Sequence, residues 1–232
     1  MQACRNQAIT FSDGQFHQES SICQHCGACV DACLNEALVL NGQAMTAEEI
    51  LKEVEKDRLY YEESQGGMTV SGGEPLLQEE AIDLLRAAKQ AGLHTAAETT
   101  GCVSPQQFRA AAEYLDLFLF DVKHINAEKL RTVTGADPDL IQENFAWITA
   151  QRPQDVIARI PVIPDFNEAD LEDLIAYAKA HHVKEIHLLP FHPLGKAKWD
   201  RLGKRYAYEA EPMMNKEHLQ NYAGDQVRIG GQ

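Results

Sequence analysis

The chain has 232 residues, 44% of them hydrophobic, which allows one large domain or a medium domain with a small insert. Its formal net charge of -14 excludes a broad nucleic-acid surface, because phosphate binding needs clustered Lys and Arg. No 18-residue apolar run occurs, so no transmembrane helix or membrane partner is expected, and Met1-Gln2-Ala3-Cys4-Arg5-Asn6 lacks the apolar stretch of a signal segment.

Residues 1–43 read as a segment of their own, short of periodic helices and holding five of the six cysteines. Cys23, Cys26, Cys29 and Cys33 spell C-x2-C-x2-C-x3-C. A thiolate quartet can hold zinc or an iron–sulfur cubane. Zinc sites tend to use Cys-x2-Cys pairs set far apart, whereas three cysteines at two-residue intervals wrap a 4Fe–4S cluster, and the fourth serves another cluster in two-cluster ferredoxins. The spacing therefore favours iron and sulfur. Tight clustering in a chain of this size speaks against a disulfide scaffold and for a reducing cytoplasm.

The segments Cys4-Arg5-Asn6-Gln7-Ala8-Ile9 and Cys33-Leu34-Asn35-Glu36-Ala37-Leu38 read as two copies of one tail. Crosswise pairing would complete Cys23, Cys26 and Cys29 with Cys4. Local pairing would complete them with Cys33 and leave Cys4 spare. In both cases one cubane is expected. Arg5 and Leu34 stand where a ferredoxin run carries proline after its last cysteine.

From residue 44 to 232 the rhythm is that of a layered α/β domain. Thr46 and Glu49 form a capping box ahead of the stripe Ile50, Leu51 and Val54. The spacing predicts a strand over 67–71, a helix over 79–91 stopped by Gly92, and a strand over 94–98. Ser104, Pro105 and Gln107 open the next helix, followed by a strand over 117–122 and helices over 126–133 and 138–150. A strand over 156–162, a helix capped by Asn167 and running through His181, and a strand over 185–189 complete the series. Five strands separated by helices imply a parallel sheet with right-handed crossovers, and both an open doubly wound sheet and a partial barrel fit that order.

Polar residues gather after every strand, where both architectures place their sites. Ser71-Gly72-Gly73-Glu74-Pro75 is a glycine turn that lets a ligand approach the backbone, with Glu74 as an acceptor for an ammonium group. It lacks the Gly-Lys-Ser/Thr of a Walker loop. Glu98-Thr99-Thr100-Gly101 offers hydroxyls to a ribose or simply ends a strand. Asp121 and Lys123 share one side of a strand end, as a local ion pair or as ligand contacts. Arg159 within Val156-Ile157-Ala158-Arg159-Ile160 demands an anion, because a buried guanidinium must be paired. His192 follows Leu188-Leu189-Pro190-Phe191. Cys102 reads as a small buried hydrophobe, His181-His182 as a helix end, and Tyr60-Tyr61 as packing.

Taken together, the stretch from Gly66 through Ser71-Gly72-Gly73-Glu74-Pro75 to Gln78 resembles the activating enzymes of glycyl radical enzymes in the radical S-adenosylmethionine (SAM) superfamily. Asp121-Val122-Lys123, Arg159-Ile160-Pro161-Val162-Ile163-Pro164 and Leu189-Pro190-Phe191-His192-x-Leu194-Gly195 are similar to later signatures, as are Lys198, Leu202-Gly203 and Tyr206. The cysteine segment resembles the second half of a two-cluster ferredoxin-like insert.

The resemblance implies an incomplete (β/α)6 partial barrel in residues 44–232, carrying the remnant of that insert in 1–43. It implies that Ser71, Gly72, Gly73 and Glu74 hold the methionine amino group of SAM. Lys123, Arg159 and His192 would contact its carboxylate and ribose. Thr99 would have a ribose role, in a segment that departs from the usual pattern at two positions, and Asp121 would help hold the strand-end electrostatics or a cation. Metal ligands would come from Cys4, Cys23, Cys26, Cys29 and Cys33. Partners would be a glycyl radical enzyme and a flavodoxin or ferredoxin reductant.

The superfamily's Cys-x3-Cys-x2-Cys is absent from this sequence. The expectation is an N-terminally incomplete member without independent turnover. The competing reading is an iron–sulfur electron-transfer or interaction module that does not cleave SAM.

Overall fold

The computed structural model describes residues 3–12, 14–202 and 204–230. The chain divides into two compact units, Met1–Thr46 and Ala47–Gln232.

In the first unit, β1 (Ile9–Ser12) pairs antiparallel with β2 (Gln15–Gln18), and a one-turn helix, α1 (Ala28–Asp31), follows Gly27. Among its described residues only Ala8 is buried, so apolar burial contributes little to holding this unit together. Its regularity lies in the two cysteine tails. Gln7 and Glu36, each three residues after a cysteine, both take left-handed backbones, at φ 53° and 50°. Their amides close matching turns, Gln7 N–H to the Cys4 carbonyl at 3.1 Å and Glu36 N–H to the Cys33 carbonyl at 3.0 Å. The next amide in each copy reaches the thiol. Ala8 N–H donates to Cys4 Sγ at 3.3 Å, and the Ala37 and Leu38 amides lower the Cys33 pKa. The sequence repeat is thus also a conformational repeat.

The second unit starts with α2 (Ala47–Val54), directly after Thr46, and α3 (Arg58–Ser64). Strands and helices then alternate: β3 (Gly67–Val70), α4 (Glu79–Gln90), β4 (His94–Thr99), α5 (Pro105–Ala112), β5 (Leu117–Asp121), α6 (Ala127–Thr134), α7 (Pro138–Gln151), β6 (Val156–Val162), α8 (Leu171–Ala180), β7 (Glu185–Pro190), α9 (Lys196–Arg201) and β8 (Val227–Ile229). The helix boundaries follow local chemistry. Ser104 Oγ accepts the Gln107 amide at 3.3 Å to open α5, Asn126 Oδ1 accepts the Lys129 amide at 2.9 Å to open α6, and Gly135 at φ 70° stops α6. All five predicted strands are present. The sixth, β8, has only three residues and too short a pattern to announce itself.

Strands β3 to β8 form one parallel sheet whose spatial order repeats their sequence order. A doubly wound sheet reverses its strand order partway across, whereas a barrel adds each strand beside the last. The unbroken order with β3 and β8 at its ends is that of an incomplete (β/α) barrel. Phe118 and Phe120 of β5 pack against Phe108 of α5 and Phe145 of α7, all fully or almost fully buried. By the two-residue alternation of a strand, Leu119 and Asp121 point to the opposite, inner face.

One helix start departs from expectation. Asn167 does not cap the helix toward His181; a 3-10 turn (Glu168–Asp170) intervenes before α8. The Asn167 side chain, fully buried, spans two strand ends instead. Its Oδ1 accepts the Ile163 amide, and its Nδ2 donates to the Lys123 and Pro161 carbonyls, each at 2.8 Å. Three part-buried backbone groups at the ends of β5 and β6 need partners, and one amide satisfies them all. Among the described residues no helix is long and apolar enough to cross a membrane.

Candidate functional site

The inner face and the carboxyl ends of the strands carry a continuous polar network. The turn after β3 is shaped by Gly72, whose φ of 141° excludes most side chains, and space is open where Cβ atoms at Gly72 and Gly73 would lie. Glu74 is drawn away from that space. Its Oε1 accepts the Thr99 hydroxyl at 2.7 Å, and its Oε2 accepts both the amide and the hydroxyl of Thr100 at 2.7 Å. Glu74 therefore pins the glycine turn to the end of β4. Thr99 is buried, with its hydroxyl committed to this contact.

Within β4, Glu98 accepts Ser71 Oγ at 3.0 Å and Arg159 Nη1 at 2.6 Å. Arg159, directly opposite Asp121 in the register, also donates Nε and Nη2 to Asp121 Oδ1, each at 2.8 Å. Lys123 Nζ stands 3.8 Å from Asp121 Oδ2. The anion demanded by the buried arginine is thus two carboxylates from neighbouring strands. Burial pushes the Glu98 carboxyl up, but the Arg159 hydrogen bond and charge overcome that and hold it below its ordinary value. At the more buried Asp121 desolvation wins over Arg159 and Lys123, and its pKa is raised.

His192, at the end of β7, is exposed and makes no hydrogen bond among the described residues, so it stays outside this network. Two neighbours that sequence reasoning passed over lie in the same row. His187 sits opposite Arg159, and Arg228 opposite His187. Glu185 joins them, 2.9 Å from His187 Nε2 and 2.7 Å from Arg228 Nε. A lone His in the apolar run Glu185–Pro190 was the available signal, parallel to Arg159 in β6.

The Arg228 and His187 hydrogen bonds push the Glu185 pKa down to about 2 from its ordinary 4.5. A depressed carboxylate stabilises the fold above its unfolded pKa and loses that contribution as pH falls through the folded one. Arg228→Ala should therefore destabilise the fold at pH 7 and much less at pH 2, where Glu185 is about half protonated. Urea melts at both pH values measure it, and an equal cost at each would refute the assignment.

The cysteines give a different picture. Among the described residues no group of three or more His, Cys, Asp or Glu side chains closes into a metal-holding set. The expected ligands Cys4, Cys23, Cys26, Cys29 and Cys33 are thus not gathered, although Cys4, Cys29 and Cys33 line one cavity of about 310 Å³. Thiols have no mutual attraction to close such a set; bound metal supplies that cross-link. Cys102, part-buried, accepts the Asp137 amide at 3.3 Å and belongs to neither group.

SAM fares better. Its amino-acid end is a zwitterion, and the ledge offers Glu98 and open glycine backbone for an ammonium group, with Lys123 for a carboxylate.

Residues 20–178 match the family described as the radical SAM superfamily. The 4-hydroxyphenylacetate decarboxylase activating enzyme of Clostridioides difficile (strain 630) is 35% identical, with the match covering 94% of this chain and 71% of the relative. The choline trimethylamine-lyase activating enzyme of Oleidesulfovibrio alaskensis is 38% identical, covering 94% of this chain and 82% of the relative. Among solved structures, a domain of pyruvate-formate lyase-activating enzyme from Bacteroides vulgatus superposes with a TM-score of 0.55 at 27% identity, over 72% of this chain and 99% of that domain. An ordered parallel sheet, a glycine turn beside a charged ledge, and these matches lead to one conclusion: the chain belongs to the radical SAM superfamily, whose members use a 4Fe–4S cluster and SAM, and within it to the activating enzymes of glycyl radical enzymes.

Proposed function

We propose that the strand-end ledge binds the amino-acid end of SAM, and that the chain serves the activation of a glycyl radical enzyme in the cytoplasm. The observation that carries this reading is the fixed set Ser71–Glu98–Arg159–Asp121–Lys123 beside the open Gly72-Gly73 turn. The ammonium group meets Glu98 and the turn backbone, and the carboxylate meets Lys123. Glu74, Thr99 and Arg159 act by holding those groups in place, since preorganised partners cost no rearrangement on binding. His192, exposed and without a hydrogen bond among the described residues, is available to the rest of the nucleoside. In this superfamily the cluster supplies the electron for reductive cleavage of SAM, drawn from a flavodoxin or ferredoxin donor.

Calorimetry with SAM tests the site. Lys123→Ala is expected to weaken binding by about 10-fold or more, the worth of one charge-assisted hydrogen bond. Absence of saturable SAM binding by the unaltered chain would sink the reading. After anaerobic reconstitution with iron and sulfide, this chain alone is expected to release no 5′-deoxyadenosine, because Cys-x3-Cys-x2-Cys is not among its cysteines. Turnover at the rate of a complete activase would reverse that expectation.

A further inference from the structure

The turn that follows β4 is tightly constrained. Gly101 stands at φ 71°, and a Cβ there would lie 2.4 Å from Cζ of the buried Phe120 ring, so a side chain would collide with it. The Gly101 amide donates to Thr99 Oγ1 at 2.9 Å, and its carbonyl accepts the Val103 amide at 2.9 Å. The Cys102 amide donates to Thr100 Oγ1 at 3.3 Å. The turn thus folds back on the two threonines that hold Glu74.

Asn144 of α7 fastens this turn from a distant part of the chain. Its Nδ2 donates to the Gly101 carbonyl at 2.8 Å and to the Val103 carbonyl at 2.9 Å, across 43 and 41 residues. The side chain is 1% exposed, and its Oδ1 has no hydrogen-bond partner among the described residues. Burying an unpaired acceptor costs free energy. A hydrocarbon side chain would avoid that cost, so what the amide contributes is its two donated hydrogen bonds.

Among the described residues Asn144 makes no hydrogen bond to Ser71, Glu98, Asp121, Lys123 or Arg159. The path from it to the ledge is nevertheless short. Thr100, one residue before Gly101, gives its amide and its hydroxyl to Glu74 Oε2, and Thr99 gives its hydroxyl to Glu74 Oε1. Glu74 closes the Gly72-Gly73 turn. No atom lies within 4 Å of where a Cβ would stand at either glycine, so packing there does not fix the turn. It is held at its two ends, by Ser71 on Glu98 and by Glu74 on the threonines. We propose that Asn144 is a positioning residue for SAM. By fixing the turn over 101–103 it sets where Thr99 and Thr100 hold Glu74, and so where the glycine turn presents its backbone to the ammonium group. The inference rests on the SAM reading of the ledge.

The full chain is compared with two variants. Asn144→Leu keeps the volume and removes both donors. Ile148→Ala weakens the packing of the same helix and leaves those hydrogen bonds in place. SAM binding is measured by calorimetry well below each melting temperature, and amide exchange is followed by NMR. In Asn144→Leu the Thr100 and Gly101 amides should exchange about tenfold faster or more, relative to the amides of β6. SAM should bind about fivefold more weakly or worse. Ile148→Ala should change SAM affinity by less than about twofold. An Asn144→Leu variant no worse than Ile148→Ala in either measure overturns the proposal. If Asn144→Leu does not fold, the link is read from its other end in the unaltered chain. Coupling is reciprocal, so bound SAM should slow exchange of the Asn144 Nδ2 protons, and unchanged exchange overturns the proposal. The two readings fail separately. SAM binding that Lys123→Ala weakens and Asn144→Leu leaves intact ends this inference alone. No SAM binding by the unaltered chain ends the ledge reading, and amide exchange in Asn144→Leu then decides by itself whether Asn144 sets the turn.

Discussion

Arg159→Ala is expected to destabilise the barrel unit by about 2–3 kcal/mol at pH 7, less than the cost of removing one partner from a fully buried charged set because the Glu98 side chain is 36% exposed. Arg159 is only 17% exposed and donates to Glu98 and Asp121 together. Without it, two carboxylates face each other on the inner face with Lys123 as the remaining nearby cation. Desolvation already raises the Asp121 pKa with Arg159 present, and losing Arg159 moves it higher still and removes the hydrogen bond and charge that hold Glu98 low. The sign follows from linkage. The penalty is full above those raised pKa values and shrinks as pH falls through them, because protonation removes the unpaired charge. Urea unfolding of both proteins at pH 7 and pH 5 should show the gap narrowing at the lower pH. A loss below about 1 kcal/mol at pH 7, or a gap that widens in acid, would show that solvent rather than the arginine balances these carboxylates. Arg159→Lys should recover only part of the loss, since a single ammonium group cannot reproduce the fork that reaches two strands.

Asn167→Leu should cost about 3–5 kcal/mol, although the side chain is replaced by one of similar volume. The amide is fully buried and serves the Ile163 N–H and the Lys123 and Pro161 carbonyls. Leucine leaves all three unpaired, each at about 1–3 kcal/mol less whatever the backbone recovers by shifting. Asn167→Asp tests the geometry further. It keeps the acceptor for Ile163 but turns a carboxylate against two carbonyl oxygens, so it should be at least as damaging as leucine at pH 7. An aspartate variant as stable as the parent would contradict the assigned hydrogen bonds. Because Lys123 hangs on this clamp, SAM affinity should fall in Asn167→Leu at temperatures where the variant remains folded. Unchanged affinity would mean that the clamp holds the fold and not the ligand groups.

Much of the barrel was legible residue by residue. Ser104 with Gln107 and Gly92 after α4 are local devices, and each acts where the spacing predicted, while Asn126 and Gly135 bound α6 by the same chemistry. The strands β3 to β7 were legible for the same reason: a buried apolar run bounded by turn chemistry identifies itself within a few residues. Arg159 announced its need for an anion, because a guanidinium within an apolar strand has few other outcomes. The two cysteine tails were readable as copies, and they share one turn conformation and one N–H to thiol contact.

Contacts between residues far apart in the chain were a different matter. Asn167 reads as a helix cap from its neighbours, and only the packing of β5 beside β6 shows that its amide is consumed by their ends. Glu74 reads as a ligand group, yet both of its oxygens are occupied by Thr99 and Thr100 of the next strand. The choice between a doubly wound sheet and a partial barrel rested on strand order, which local patterns do not encode, and the observed order resolves it. The sequence by itself determined the strands β3 to β7, most of the helices between them, several of their caps, the residues at the strand ends and the family resemblance, because those depend on interactions within a few residues. Tertiary structure alone decided which carboxylates answer Arg159 and which polar groups are already spent, because both depend on strands meeting across long stretches of chain.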